Sequence, residues 1–274
     1  MLRPPSDNPS IRLFDRTIDA ASIHRALTHP AMQLLQDGGT RTVWKSALFD
    51  NSPVIIKCRE NSSKASGFRR LFRISPHDTE LRGLRRLLRL GIPTSTPLAR
   101  VVAPDHDCLV LKYVPGPTLL EVLAGPPLTI SQEKALCRAV GDVVIALILK
   151  NFYYRDNKPS NLIVLDHETA PRIAIIDAVG IRYQHPFYLT GSHLVDMLAS
   201  LYLEPRGVGI TIRRTLTMRL LHGYADAFNA AVPFGDSFRR DMWEFARTVI
   251  EKHGDPTPKV NPLAAPGAIS VDRQ

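Results

Sequence analysis

The stretch YYRDNKPSNLIV, Tyr153 to Val164, sets Arg155, Asp156, Lys158 and Asn161 within seven positions between apolar segments. Before it lies VGDVVIALIL, apolar enough for a central core helix. After it, NLIVL and RIAIID are short apolar runs of strand type, separated by DHETAP. Charge and amide cannot remain in a core without partners, so the chain has to deliver this cluster to a cleft or surface. The fold is therefore one in which a core helix, a polar turn and a strand pair follow one another directly.

The rest of the chain divides into a strand-rich first half and a helix-rich second half. Residues 1–18 read as a loose lead-in and 19–36 as a short helix ending before Gly38-Gly39. TVWKSALF, the turn-like DNSP and VIIKC predict two antiparallel strands, followed by a polar loop, RENSSKASG. From Asp78, TELRGLRRLLRLG spaces leucines among arginines as an amphipathic helix with a basic outer face, stopped by Gly91 and the proline after it. VVA and CLVLKYV predict a second hairpin, and Pro115-Gly116-Pro117 a hinge. A short helix over Leu119–Leu123 follows. Ser131 is placed to cap a long helix over 132–150, and 192–253 is helical in pattern. The organisation expected is a lead-in and short helix over 1–34, a first lobe over 35–115, a second over 116–253 and a flexible tail over 254–274.

Composition limits the partners. The chain is 44% hydrophobic and 22% charged, which is globular rather than disordered composition. Its 35 Lys+Arg exceed 26 Asp+Glu, for a net charge of +9, so an acidic partner is favoured. Aromatics are few and do not alternate with basic residues, which argues against a nucleic-acid stacking platform. Cys58, Cys108 and Cys137 are widely spaced and odd in number, as expected of free thiols in a reducing compartment. No run approaches the ~20 apolar residues of a membrane span, and MLRPPSDNPS has no signal-peptide core. A cytoplasmic protein is expected, with peripheral contact at the inner membrane face left open, and the oligomeric state is not set.

Two carboxylates and an amide, Asp156, Asp177 and Asn161, fall at the edges of adjacent short strands. Carboxylate and amide oxygens suit Mg²⁺, which can carry nucleotide phosphates. The remaining carboxylate is free to orient or deprotonate a hydroxyl, and Lys158 to neutralise a transferring phosphoryl group. Lys57 ends the apolar run PVIIK, and Glu80 opens the basic helix within reach as an ion-pair partner. Taken singly, Lys57 reads as a solvated strand edge, Glu80 as a first-turn glutamate, Asp156 with Arg155 as a loop ion pair and Asp177 as a turn aspartate.

YYRDNKPSN resembles the protein-kinase catalytic loop, with Arg155, Asp156, Lys158, Pro159 and Asn161 matching position by position. PVIIK resembles the lysine-bearing strand of that family. Glu80 then falls where its helix glutamate belongs, and IID at 175–177 where its metal-binding aspartate does. The likeness covers roughly residues 35 to 240. It implies an α+β fold, protein-kinase-like and two-lobed, with a small β-rich N-lobe and a helical C-lobe. ATP and Mg²⁺ are the implied cofactors. Asp156 is then the catalytic base or orienter, assisted by Lys158, and Asn161 and Asp177 hold the metal. Lys57 meets the α and β phosphates and is held by Glu80. The segment containing Leu111 and Tyr113 meets the adenine, and Gly38-Gly39 lies where phosphates are covered.

Within that superfamily, LRGLRRLLRLGIPTSTPLA and LVLKYVPGPTLLEVL are similar to segments of the lipopolysaccharide core kinases, which phosphorylate heptose or Kdo sugars. This implies a glycolipid or phosphorylated-sugar acceptor. The sequence departs from the protein-kinase pattern in four places. Tyr154 stands for the histidine, and Ala178-Val179-Gly180 follows Asp177, putting the glycine one position late. Only 15 residues separate Asn161 from Asp177, with no peptide-docking segment after them. The Gly38-Gly39 turn lacks full glycine-loop spacing. An atypical protein Ser/Thr or small-molecule kinase and a catalytically impaired pseudokinase are the alternative expectations.

Overall fold

A computed structural model describes residues 9–60, 75–166, 170–184 and 191–210, with 212, 213, 215–220, 222, 223, 244, 247, 248 and 251. Of the loop expected over 59–67, Arg59 and Glu60 are instead the end of a strand, and the rest lies outside the described residues, as do the tail at 254–274 and most of the positions expected to be helical after 210. The described chain is mixed α and β and forms two compact units. One comprises Met1–Arg85 with Ser95–Val114, the other Arg86–Thr94 with Pro115–Gln274. Among the described residues no helix is long and apolar enough to cross a membrane.

The first unit is built on six antiparallel strands, β1 (Ser10–Leu13), β2 (Gln33–Asp37), β3 (Arg41–Ala47), β4 (Pro53–Glu60), β5 (Pro97–Val102) and β6 (His106–Lys112). Their order is β1-β5-β6-β4-β3-β2. Two of these correct the sequence reading. Part of the expected loose lead-in is β1, an edge strand paired with β5. The helix expected over 19–36 stops early, as α1 (Ala20–Thr28), and residues 33–37 form β2. The cause is local, because a residue before proline is driven out of helical geometry and His29 precedes Pro30. His29 is accordingly extended, with φ −60° and ψ 127°. Asp19 caps the start of α1 by accepting the Ser22 N–H at 2.7 Å.

Strand alternation then sorts the sheet's two faces. Val54, Ile56 and Cys58 of β4, with Cys108 and Val110 of β6, join Ile23, Ala26 and Leu27 of α1 in one core. Lys57 points to the opposite face, together with its directly opposed neighbour Leu109 and the Ile55–Leu111 pair. Cys58 and Cys108, 50 positions apart in sequence, are opposite each other in the β4–β6 ladder and form a disulfide. The expectation of three free thiols is thus wrong for these two, and the cysteine argument for a reducing compartment falls with it. Cys137 is free and buried, and burial pushes its thiol pKa up to about 12.

Helix α2 (Pro76–Arg89) begins in this unit, and its last turn is assigned to the second. The second unit continues with α3 (Leu119–Ala124), α4 (Ile130–Ile148), β7 (Phe152–Tyr154), β8 (Leu162–Leu165), β9 (Arg172–Ile175), β10 (Ile181–Tyr183) and α5 (Gly191–Gly207). The strands pair as two short antiparallel ribbons, β7 with β10 and β8 with β9. Helix α4 starts two residues before the expected 132, because its cap is Thr129 and not Ser131. Thr129 and Gln132 exchange side-chain-to-backbone bonds as a capping box. Glu133, in the first turn of α4, is 1% exposed and ion-paired with Arg213 and Arg219.

Candidate functional site

In the first unit the two predicted partners, Lys57 and Glu80, meet. The Lys57 ammonium is ion-paired with Glu80 Oε1, and the side chains are only 8% and 2% exposed. Strand β4 presents Lys57 away from the α1 core, and the first turns of α2 present Glu80 to it. A buried pair of this kind is costly to desolvate and is tolerated only when both charges are well partnered.

The other first-unit candidates are more mixed. Leu111 is buried on the same sheet face as Lys57. Tyr113 is half-buried with the Lys45 ammonium 4.3 Å above its ring, but its N–H is spent on the Pro53 carbonyl at 3.2 Å. The N–H of Lys112 is likewise committed, to Thr96 O at 2.8 Å. Gly38 and Gly39 turn the chain from β2 into β3, and Gly39 needs glycine's freedom at φ +73°. Both of their amides are used inside the turn, Gly38 on Arg41 O at 2.8 Å and Gly39 on Asp37 Oδ1 at 3.0 Å. This hairpin is a closed turn, unlike a glycine-rich loop with amides turned outward.

In the second unit the charged cluster is organised by backbone. Asp156 follows β7, and Lys158 leads into a single 3₁₀ turn over Pro159–Asn161 that opens β8. Asn161 Nδ2 donates to the Asp156 carbonyl at 2.9 Å, which turns its amide oxygen the other way. The Asn161 carbonyl accepts the Ile176 N–H at 3.0 Å, and Leu162 pairs with Ile175. Asn161 and Asp177 therefore flank the same end of the β8–β9 ribbon. Asp177 caps a 3₁₀ turn over Ala178–Gly180, with Oδ1 accepting the Val179 N–H at 3.2 Å. Lys158 is exposed, and its N–H donates to Asp156 O at 2.8 Å.

Three contacts tie these pieces together, and the spacing of the sequence did not reveal them. Tyr154 is fully buried and its hydroxyl donates to the Asp177 carbonyl at 2.5 Å, so this side chain both packs and tethers. The Arg155 N–H donates to Gly180 O at 3.0 Å. Gly180 itself lies against Asp156: a Cβ added there would stand 2.8 Å from both the Asp156 amide nitrogen and Oδ2. The glycine three residues after Asp177 was the available signal, since the 3₁₀ turn brings Gly180 against Asp156, where a Cβ has no room. From α5, the Met197 carbonyl accepts Asn157 Nδ2 at 3.1 Å, and Glu204 accepts the Ser160 N–H at 2.9 Å and hydroxyl at 2.6 Å.

Electrostatically, Arg155 lies along Asp156 with Nε 3.2 Å from Oδ1 and Nη2 3.1 Å from Oδ2. The hydrogen bond to Asp156 raises the Arg155 pKa above its usual value. Among the described residues no group of three His, Cys, Asp or Glu side chains is arranged to hold a metal. An Asn161–Asp177 pair offers hard oxygen donors of the type that Mg²⁺ takes when phosphates supply the remaining ligands. No protein-family model matches this chain, and no curated protein matches it significantly.

Proposed function

We propose that the chain is an ATP- and Mg²⁺-dependent phosphotransferase of protein-kinase-like, two-lobed fold, acting on a hydroxyl group. In this reading the six-stranded unit is the N-lobe and the helical unit the C-lobe. The observation that supports it most is the knot around Asp156. There a half-exposed carboxylate is held by backbone bonds beside an amide and a second aspartate at one ribbon end.

Asp156 orients the acceptor hydroxyl and takes its proton as the new O–P bond forms and the bond to the departing ADP oxygen breaks. Asn161 and Asp177 hold Mg²⁺, which when bound draws negative charge from the phosphates. Lys57 contacts the α and β phosphates, and Glu80 fixes its ammonium. Lys158 neutralises the group in transfer. The acceptor class is a sugar hydroxyl of an anionic glycolipid, of the lipopolysaccharide-core type, which the +9 charge favours.

A second reading, a nucleotide-binding protein that has lost catalysis, is favoured by the Arg155 guanidinium lying across both Asp156 oxygens. Turnover of Mg-ATP by the wild type and by Asp156→Ala, with and without a lipopolysaccharide-core acceptor, separates the two. Phosphotransfer predicts acceptor-dependent turnover that falls by about 10²–10⁴-fold in the variant. Nucleotide binding without turnover on any acceptor hydroxyl supports the second reading.

A further inference from the structure

The Lys57–Glu80 pair stands on a second, larger set of buried charges, and we infer that Arg100 is the positioning residue that keeps Glu80 on Lys57. Arg100 projects from β5, and its side chain is only 12% exposed. It donates to Asp107 through Nε, 3.0 Å from Oδ1, and through Nη2, 2.7 Å from Oδ2. Nη1 reaches Asp78 Oδ1 at 2.5 Å and Nη2 reaches Ser75 Oγ at 3.1 Å. One guanidinium thus joins the β5–β6 hairpin to the start of α2.

The grip fixes the helix in rotation as well as position. Ser75 and Asp78 close the helix start on themselves: the Ser75 hydroxyl donates to Asp78 Oδ2 at 2.6 Å and the Asp78 N–H to Ser75 Oγ at 3.2 Å. His77 is seized separately, its Nε2 lying 3.0 Å from the Asp107 carbonyl and therefore donating to it. Residues three apart share a helix face, so His77 and Glu80 are presented together while Asp78 is held from another side. Burial alone would pull the Arg100 guanidinium down, but the Asp107 and Asp78 carboxylates more than offset it and its pKa is raised. Without Arg100, two buried carboxylates would lose the guanidinium they share, and α2 would have to move to hydrate them. Glu80 would leave with it.

The consequence for function rests on the phosphotransfer reading: the nucleotide-side pair is assembled permanently and does not wait for a signal to bring α2 in. The test uses the full chain as wild type, Lys57→Met, Arg100→Met and the double variant, titrated with Mg²⁺ and a non-hydrolysable ATP analogue. Arg100→Met is expected to weaken binding by about tenfold, and the double variant to bind no more weakly than Lys57→Met alone, because the two act through one pair. Additive losses would overturn the proposal.

A second readout needs no nucleotide. Acylation of lysine amines in the apo protein, mapped by mass spectrometry, should rise about tenfold at Lys57 in Arg100→Met, with exposed Lys112 unchanged and buried Cys137 still unreactive to alkylation. Asp78→Asn is the milder variant should Arg100→Met not fold, and it should raise Lys57 labelling by about threefold. Raised Lys57 labelling in a protein that binds no Mg-nucleotide would leave the positioning role standing and remove the phosphotransfer reading. Unchanged labelling would overturn the positioning role whatever the nucleotide does.

Discussion

The two groups of candidate residues are built on opposite principles. Lys57 and Glu80 are almost completely buried, and their charges are held by other charges. Asp156, Asn161 and Asp177 are half-exposed, and are held mainly through backbone carbonyls and amides. The first arrangement fixes a side chain against a large desolvation penalty that only a full set of partners offsets. The second fixes the backbone and leaves side-chain oxygens near solvent, as the proposed phosphotransfer would require. A single deletion should therefore damage folding in the first region and geometry in the second.

The largest effect is expected at Glu80. Glu80→Ala leaves the Lys57 ammonium buried without its carboxylate and should cost about 3–5 kcal/mol, read as a lower urea midpoint. A loss under about 1 kcal/mol would mean that the pair is solvated and that the contrast is false. Next comes Gly180→Ala, where the new methyl has to displace Asp156. It should cost about 1–3 kcal/mol and lower turnover at least about tenfold, with nucleotide affinity nearly unchanged. Loss of affinity with turnover intact would contradict the placement of Gly180 beside Asp156.

The charge-held region should also be the acid-sensitive one. Burial depresses the His77 pKa from 6.5 to about 4, with Asp107 opposing the shift. The unfolded chain then binds a proton that the folded chain refuses, so stability is full above pH 6.5 and declines as pH falls toward 4. Between about pH 6.5 and pH 5 the loss should be about 1.5 kcal/mol, and His77→Gln should flatten it in urea titrations at the two pH values. The smallest effect is expected from Tyr154→Phe. It removes the donor to the Asp177 carbonyl without changing shape and should cost about 1 kcal/mol, with a severalfold weaker Mn²⁺ affinity by paramagnetic titration. An unchanged Mn²⁺ affinity would separate Tyr154 from the metal side.

How much of this was legible in the sequence follows from how local each feature is. Arg155 to Asn161 are neighbours whose spacing alone marks them, and β8 and β9 after them announce themselves by apolar runs, whereas β7 and β10, three residues each, carry no such pattern. Lys57 and Glu80 could be nominated because each bounds an apolar pattern in the sequence, although β4 runs on to Glu60 and α2 already begins at Pro76. The Arg100 network could not, since it assembles β5, β6 and α2 from residues that are separately ordinary in sequence. Strand β2 was hidden for another reason: all five of its residues are exposed, so no alternation marks QLLQD as a strand. The Cys58–Cys108 pairing depended on a ladder joining strands 50 positions apart, which no local pattern encodes.

That pairing also bears on which way Lys57 faces. Sliding β4 by one residue against β6 would exchange the two faces of the strand and send Lys57 among the aliphatic side chains under α1. A covalent bond between directly opposed residues forbids that slide for as long as it lasts. The sulfur bridge thus acts as a registration pin, and the handedness of the charged face is set one residue away from the charge itself.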